Sequence, residues 1–480
     1  MKKSIYLFAI AGMLFTGSCS KSFLQIDPQQ QTDVELVIKD LPTTRAAITG
    51  TYNLMQSAGL YGRNAMVLPD VMSDNVFISS KNQGRFLSYD QYITVATEGY
   101  AASLWNQLYR VVVNANIIIR KAEANNYADA DKAEAQFIIG EAYALRALAY
   151  FDLMRFFALP YNYTADASHL GVPLVLKSGT DKNEVISPKR NTAKEVYTQI
   201  VADFNTAMSL MPKTPVGFKA SFRGRVSYYG AKALLSRVQL YREDWEAVDS
   251  LATDVIKNGG FSLLTRTAMF EDSKKQNSSE AIFEIQFNQT DNLGSDALAN
   301  FYWQSGSYGD GLATENLYST YTATDARRGF VVKGSRKSGE NPAWLINKYT
   351  NNTTFEEPSR IIRLAEVYLN RAEARAHKNQ DGLAAADLDV VGGRADADYK
   401  PATATGDPLK ALILLERRKE LAFEGHRLFD LTRNKQSFTK YRSSKTIQID
   451  YPNLKTILPI PQAEMNSNRN MEQNDAYKIQ

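Results

Sequence analysis

Glu416, Glu420 and Glu424 stand four residues apart, a spacing that puts three carboxylates on one face of a helix. Two carboxylates flanking a substrate can serve as general acid and base in glycoside cleavage. Such a set can also hold a hard cation. The plainer reading is structural. Like charges at i, i+4 repel one another and need partners, and Arg417, Arg418, Lys419 and Arg427 are near in sequence. Ion pairing is therefore expected, with no catalytic residue and no metal ligand among them. His169, His377 and His426 are dispersed and form no ligand set. There is no Gly-rich phosphate loop, nucleophile elbow or His-Glu-x-x-His motif, so no cofactor is expected.

Binding without bond cleavage asks for different residues. A sugar ring offers C–H faces that stack on aromatic rings, and hydroxyls that pair with Asp, Asn and Arg. On chemistry alone, the candidate ligand residues are Tyr302, Trp303 and Tyr308, which share a loop-rich stretch with Gly306 and Gly309. Trp344 joins them from another loop near Pro342, with Asp74, Asn75 and Arg85 from the irregular stretch after the first helix. The chain holds 26 Tyr, 22 Phe and 4 Trp; most must pack, but Tyr joins an apolar ring to a polar tip and suits a sugar- or peptide-contacting surface.

The only cysteine, Cys19, has its own chemistry. Lys2 and Lys3 precede an apolar run from Ile5 to Phe15, followed by Thr16-Gly17-Ser18. This is the layout of a secretory signal, with an apolar run too short to span a bilayer stably. Small residues directly before a cysteine resemble a bacterial lipobox, with Thr16 where an aliphatic residue is usual. Residues 1–18 are then the signal, and the Cys19 thiol carries lipid. A lone cysteine excludes an internal disulfide and a cysteine-based zinc site. The remaining chain is long enough for a large core. The signal takes two of the 56 basic residues with it, leaving near-neutrality against 52 acidic ones, which argues against a nucleic-acid partner.

The elements that must position these residues are mainly helical. Residues 19–43 read as a polar tether and residues 44–480 as one domain. Apolar periodicity predicts helices from near Thr44, over 101–125 and 130–157, and over 191–211, 222–241 and 244–258. The last two meet at Arg242-Glu243-Asp244 like a tetratricopeptide hairpin, and a similar pair spans 360–392. No strict repeat period is visible. Arg146 and Asp152 sit in a mostly apolar helix and should be buried, paired structural groups. Residues 259–358 form a loop-rich insert with strand-like runs such as 281–287, the kind of segment where binding resides. A last helix is expected over about 407–424, with Gly425 as its C-cap, then a tail from Tyr451 stiffened by Pro459 and Pro461 as an extended strap.

Four segments and the tail together resemble the SusD/RagB family of outer-membrane nutrient-binding lipoproteins. They are Cys19-Ser-Lys-Ser-Phe23-Leu24 with Pro28; Glu141-Ala-Tyr-Ala-Leu-Arg146 through Phe151-Asp152 to Arg155-Phe156, with Gly171-Val-Pro173; Arg363-Leu-Ala-Glu366 through Asn370-Arg371-Ala-Glu373 to Gly393-Arg394; and Glu416-Arg417 through Glu420, Glu424-Gly425 and Arg427 to Asp430. Leu458-Pro459-Ile460-Pro461 through Asn474-Asp475 to Tyr477 matches the family's ending. Asp389 replaces an Asn usual in the third segment. The resemblance implies an all-α fold of four tetratricopeptide-like helix pairs, a SusD-like superhelix. It also implies a surface-facing, lipid-anchored place at the outer membrane and a SusC-like TonB-dependent transporter as partner. The implied ligand is an oligosaccharide, or a peptide in the RagB branch, captured without cleavage; a lipid-anchored hydrolase is the rival of another class. Family ligand residues lie outside these motifs, so none is carried over.

Overall fold

The computed structural model describes residues 38–177, 187–217, 222–304 and 308–478. Cys19, the signal, most of the tether and Gly306 lie outside the described residues.

The long helices are α1 (Leu41–Gln56), α2 (Gly99–Ala124), α3 (Asp129–Phe157), α4 (Ala193–Leu210), α5 (Tyr228–Tyr241), α6 (Trp245–Asn258), α7 (Leu364–His377), α8 (Asp381–Ala395) and α9 (Gly406–Glu420). Local chemistry sets their starts. Asp40 accepts the Thr43 amide while Thr43 bonds back to the Asp40 backbone, opening α1 three residues before the expected position. Thr192 and Glu195 make the same reciprocal cap on α4. Helices pack in chain order, α1 on α2, α2 on α3, α3 on α4 and α4 on α5. The hairpin α5–α6 then packs on the hairpin α7–α8, and α9 closes on α7 and α8. This is the helix-hairpin architecture expected, and one continuous apolar core runs from Ile38 to Met471.

α3 is buried almost all round. Its charges are therefore paired: Arg146 makes a fork to Asp203 at 2.7 Å through both Nε and Nη2, and Asp152 meets Arg155 and the Tyr61 hydroxyl. Short antiparallel strands complete the fold, most of them coming from between α6 and α7. β1 (Val76–Ile78), β3 (Gly311–Ala313), β5 (Ala343–Ile346) and β4 (Val331–Gly334) lie in that order in one sheet. β2 (Ala281–Ile285) pairs with β6 (Ser359–Arg363), and β7 (Phe438–Tyr441) with β8 (Thr446–Ile449).

Two expectations are corrected. α9 stops at Glu420, so Glu424 is not on the helix; the chain turns through Phe423 at φ 66° and Gly425 at φ 75°. Partners of the three carboxylates also come mainly from afar. Arg327 meets Glu416 and Glu420, Arg363 meets Glu420 and Glu424, Arg394 meets Glu420, and Lys348 meets Glu424. Only Lys419, 3.4 Å from Glu416, pairs as the sequence suggested. The tail is strapped across the helices, as the Leu458 amide donates to Phe156 O and Asn474 Nδ2 to Phe157 O. It includes a helical turn, Gln462–Ser467, and so is not wholly extended.

Candidate functional site

Among the described residues, the candidates Arg85 and Tyr308 come together beside Arg336. The chain leaves β1 through Ser79–Arg85. Phe86 follows at φ 55° with a fully buried ring, stacked on Tyr100 (4.1 Å between centroids) and edge-on to Phe301 (5.1 Å). A bulky residue rarely adopts that backbone, so the burial of its ring must hold it there. Arg85, next to it, is partly exposed. Its guanidinium carbon lies 3.4 Å from the centroid of the Tyr308 ring, a cation–π stack. Its Nη1 donates to Gln83 Oε1 at 3.2 Å and lies 3.5 Å from Asp310 Oδ2.

Arg336, in the connection between β4 and β5, ties this arrangement together. It donates to Tyr308 O at 2.6 Å, Lys81 O at 2.9 Å and Gln304 Oε1 at 3.0 Å. It also reaches Asp310 Oδ1 at 3.4 Å. Asp310 is buried; burial pushes its carboxyl above the usual range, against the pull of the Arg336 and Arg85 guanidinium groups. Glu340 accepts from Ser79 Oγ (2.7 Å), the Ser80 amide (2.6 Å) and Ser443 Oγ. Burial costs it, but those donors outweigh the cost and hold it below the usual range. The half-buried Trp303 ends the short helix Leu298–Tyr302 beside this loop. The ledge thus offers the Tyr308 ring and the Arg85 guanidinium, with Trp303 close to them in the chain.

The other candidates are placed elsewhere. Tyr302 is fully buried, stacked on Tyr349 at 6.0 Å, and belongs to the core. Asp74 is buried in a fork from Arg427 at 2.7 and 2.9 Å with Arg418 at 3.3 Å. Asn75, also buried, donates to Asp70 and accepts from Arg418 Nε, both at 2.9 Å. Both residues tie the β1 approach to α9 and the segment after it, and their side chains are engaged within the protein. Trp344 is on strand β5, not in a loop, half-buried and tilted against Tyr318 at 6.4 Å. Residue types alone did not single out Gln304, Asp310, Arg336 and Glu340, although the basic run Ser335-Arg336-Lys337 between two glycines was a usable signal.

No group of His, Cys, Asp and Glu able to hold a metal occurs among the described residues, and no described helix is long and apolar enough to cross a membrane. His169 is satisfied by Thr164 and Leu159 O, and His377 stacks on Trp245 at 4.0 Å. His426 is buried; desolvation drives it down to about 3, so it stays neutral.

Stacked helical hairpins carrying a loop-borne aromatic and cationic ledge define a class of repeat scaffold that displays its contacts on inserted loops. Similarity to known proteins narrows this class. A family model described as the SusD family matches residues 271–477, and one described as starch-binding, associating with outer membrane, matches residues 22–240. A SusD-like protein of Formosa agariphila is 24% identical over 495 residues, covering 89% of each chain. The starch-binding protein SusD of Bacteroides thetaiotaomicron is 36% identical over 130 residues, 25% of this chain and 21% of that one. The crystal structure of a SusD superfamily protein from Bacteroides vulgatus superposes with a TM-score of 0.81 at 27% identity, covering 92% of this chain and all of that one. The chain belongs to the SusD/RagB family.

Proposed function

We propose that this protein captures an oligosaccharide on the Tyr308–Arg85 ledge and hands it to a SusC-like TonB-dependent transporter, breaking no bond itself. The observation that carries this reading is the ledge: the Tyr308 face and the Arg85 guanidinium stacked on it, with the half-buried Trp303 near in sequence, on the loops of a SusD/RagB scaffold. The starch-binding, outer-membrane description of the model matching residues 22–240 supports both ligand class and place. Capture without cleavage is supported by the state of the carboxylates. Glu416, Glu420 and Glu424 are locked in ion pairs, and Asp310 and Glu340 are held by donors within the protein. Residues 44–480 act as one SusD-like domain on a short tether, and lipid on Cys19 holds it to the outer membrane, facing outward.

Calorimetry against a panel of glycans and peptides tests the capture. Tyr308→Ala and Trp303→Ala should each weaken glycan binding by ~30-fold, the effect of losing ~2 kcal/mol at a central contact. Unchanged affinity in both variants, or binding confined to peptides, would sink the reading. Cys19→Ser should move the protein from the membrane to the soluble fraction, since each buried acyl methylene contributes ~0.8 kcal/mol; persistence in the membrane would remove the lipid anchor.

A further inference from the structure

Resting on the reading that the Tyr308 ledge is the capture site, we infer that its ligand is an acidic oligosaccharide, recognised through a carboxylate or sulfate group on the sugar. The carboxylates of the ledge are engaged: the Asp310 side chain is 2% exposed, and the partly exposed Glu340 is held by Ser79, Ser80 and Ser443. Its cations are in part exposed. The Arg85 side chain is 22% exposed, the Arg336 side chain 14%, and Lys81 and Lys337 are exposed. Lys81 and Arg336 lie side by side, for their Cγ atoms would be 3.1 and 2.9 Å from a Cβ placed on Gly339. The tip of the β7–β8 hairpin joins the ledge through Ser443 and brings Arg442. That arginine donates to Asp90, another buried carboxylate that also pairs with the buried Lys440. A ligand approaching from solvent therefore meets the exposed Lys81 and Lys337 and the partly exposed Arg85, while Asp310 and Asp90 are buried and Glu340 is held by its donors.

The geometry of Arg85 favours such an anion. Stacking on Tyr308 fixes the guanidinium plane, and Nη1 is taken by Gln83 and Asp310. No hydrogen bond or ion pair to a described residue is made by Nε or Nη2. Those two N–H groups form the side-on fork of an arginine, whose spacing matches the two oxygens of a carboxylate or of a sulfate ester. A neutral hydroxyl would use one of them. Because the ring holds the fork in place, little side-chain freedom is lost on binding. A uronate and a sulfated sugar supply the same bidentate acceptor, so the shared chemistry is an anionic sugar substituent.

The test uses the full-length protein in neutral detergent and matched pairs. These are oligogalacturonides against the same chains carboxyl-reduced, malto-oligosaccharides with and without sulfate esters, and a poly-glutamate peptide. The acidic member of at least one pair should bind at least tenfold tighter, with the advantage falling several-fold between 50 mM and 500 mM salt. Which pair shows it separates uronate from sulfate recognition. Arg85→Gln should bring the acidic and neutral members to within about threefold of each other, while Tyr308→Ala weakens both. Equal, salt-independent binding of both members, still lost in Tyr308→Ala, overturns the charge selectivity and leaves capture standing. Preference for poly-glutamate over every acidic glycan overturns it in favour of a peptide. Binding of no glycan at all overturns the capture reading and this inference together.

Discussion

Replacing Arg363 by methionine should destabilise the protein by about 4 kcal/mol at neutral pH, more than any single change on the ledge. Arg363 ends β6 where it enters α7, and its guanidinium is the hub of a buried network. It forks to Glu424 at 2.8 and 2.9 Å, reaches Glu280 at 2.7 Å and also pairs with Glu420, which Arg327 and Arg394 share. Removing one partner of a buried pair leaves an uncompensated charge, and that stranded charge, not the lost attraction, dominates the cost. The effect has a pH signature. Burial alone would raise the Glu424 carboxyl, but Arg363 and Lys348 override it and hold it at about 2, down from 4.5. A depressed carboxyl gives stability that is fully present above its unfolded value and lost as pH falls through its folded one. The gap between parent and variant in urea midpoint should be full at pH 7 and close between pH 4.5 and about 2. Adding Glu424→Leu to Arg363→Met should recover part of the loss, because the stranded charge goes with it. A gap independent of pH, or a cost below about 1 kcal/mol, would show that Arg327, Arg394 and Lys348 suffice without Arg363.

The same network marks where the sequence could be read and where it could not. The long helices were legible because periodicity and capping are local. Arg146 and Asp152 were legible as buried pairs, since a charge in an apolar helix is too costly to bury without a partner. The pairing of Glu416, Glu420 and Glu424 was foreseen in kind but assigned to near neighbours. Salt-bridge partners depend on which strands are brought beside α9, and Arg327 and Lys348 arrive from the loop-rich segment. The end of α9 was missed because the i+4 spacing continues to Glu424 while the backbone does not: Phe423 in a left-handed conformation has no sequence signal. Of the candidates chosen on chemistry, Arg85 and Tyr308 come together, whereas Asp74 and Asn75 are buried in internal pairs. A buried Asp–Arg fork and a ligand-facing Asp look identical in sequence, and only the position of Arg427 distinguishes them. Arg336 escaped because its role exists only once Lys81, Gln304 and Tyr308 are adjacent.

Gly425→Ala should cost about 3 kcal/mol or more, whereas Gly406→Ala costs about 1 kcal/mol, though both glycines have positive φ. The two share the backbone penalty, because an L side chain in the left-handed region crowds the following carbonyl. They differ in surroundings. A Cβ on Gly406, at the start of α9, would meet nothing within 4 Å. A Cβ on Gly425 would stand 2.7 Å from Ala65 O and 3.2 Å from the Met66 Cα, which are backbone atoms at the start of the short helix Asn64–Val71 and cannot rotate away. That helix carries Asp70, which accepts the Gly425 amide at 3.0 Å and the Asn75 side chain at 2.9 Å. Pushing the turn off the helix therefore strains both bonds to a buried carboxylate, already pushed up to about 6 by burial. Asn75 leads directly into β1, and the chain runs on through Ser79 to Arg85, so the expected strain lies close to the ledge in sequence. The difference between the glycines should appear in urea unfolding. Gly425→Ala, assayed below its unfolding transition, should also weaken ligand binding on the ledge, while Gly406→Ala leaves it unchanged. Equal costs at the two positions would mean that the helix yields to the added methyl, and that the close approach of Gly425 to Ala65 is not what fixes the turn.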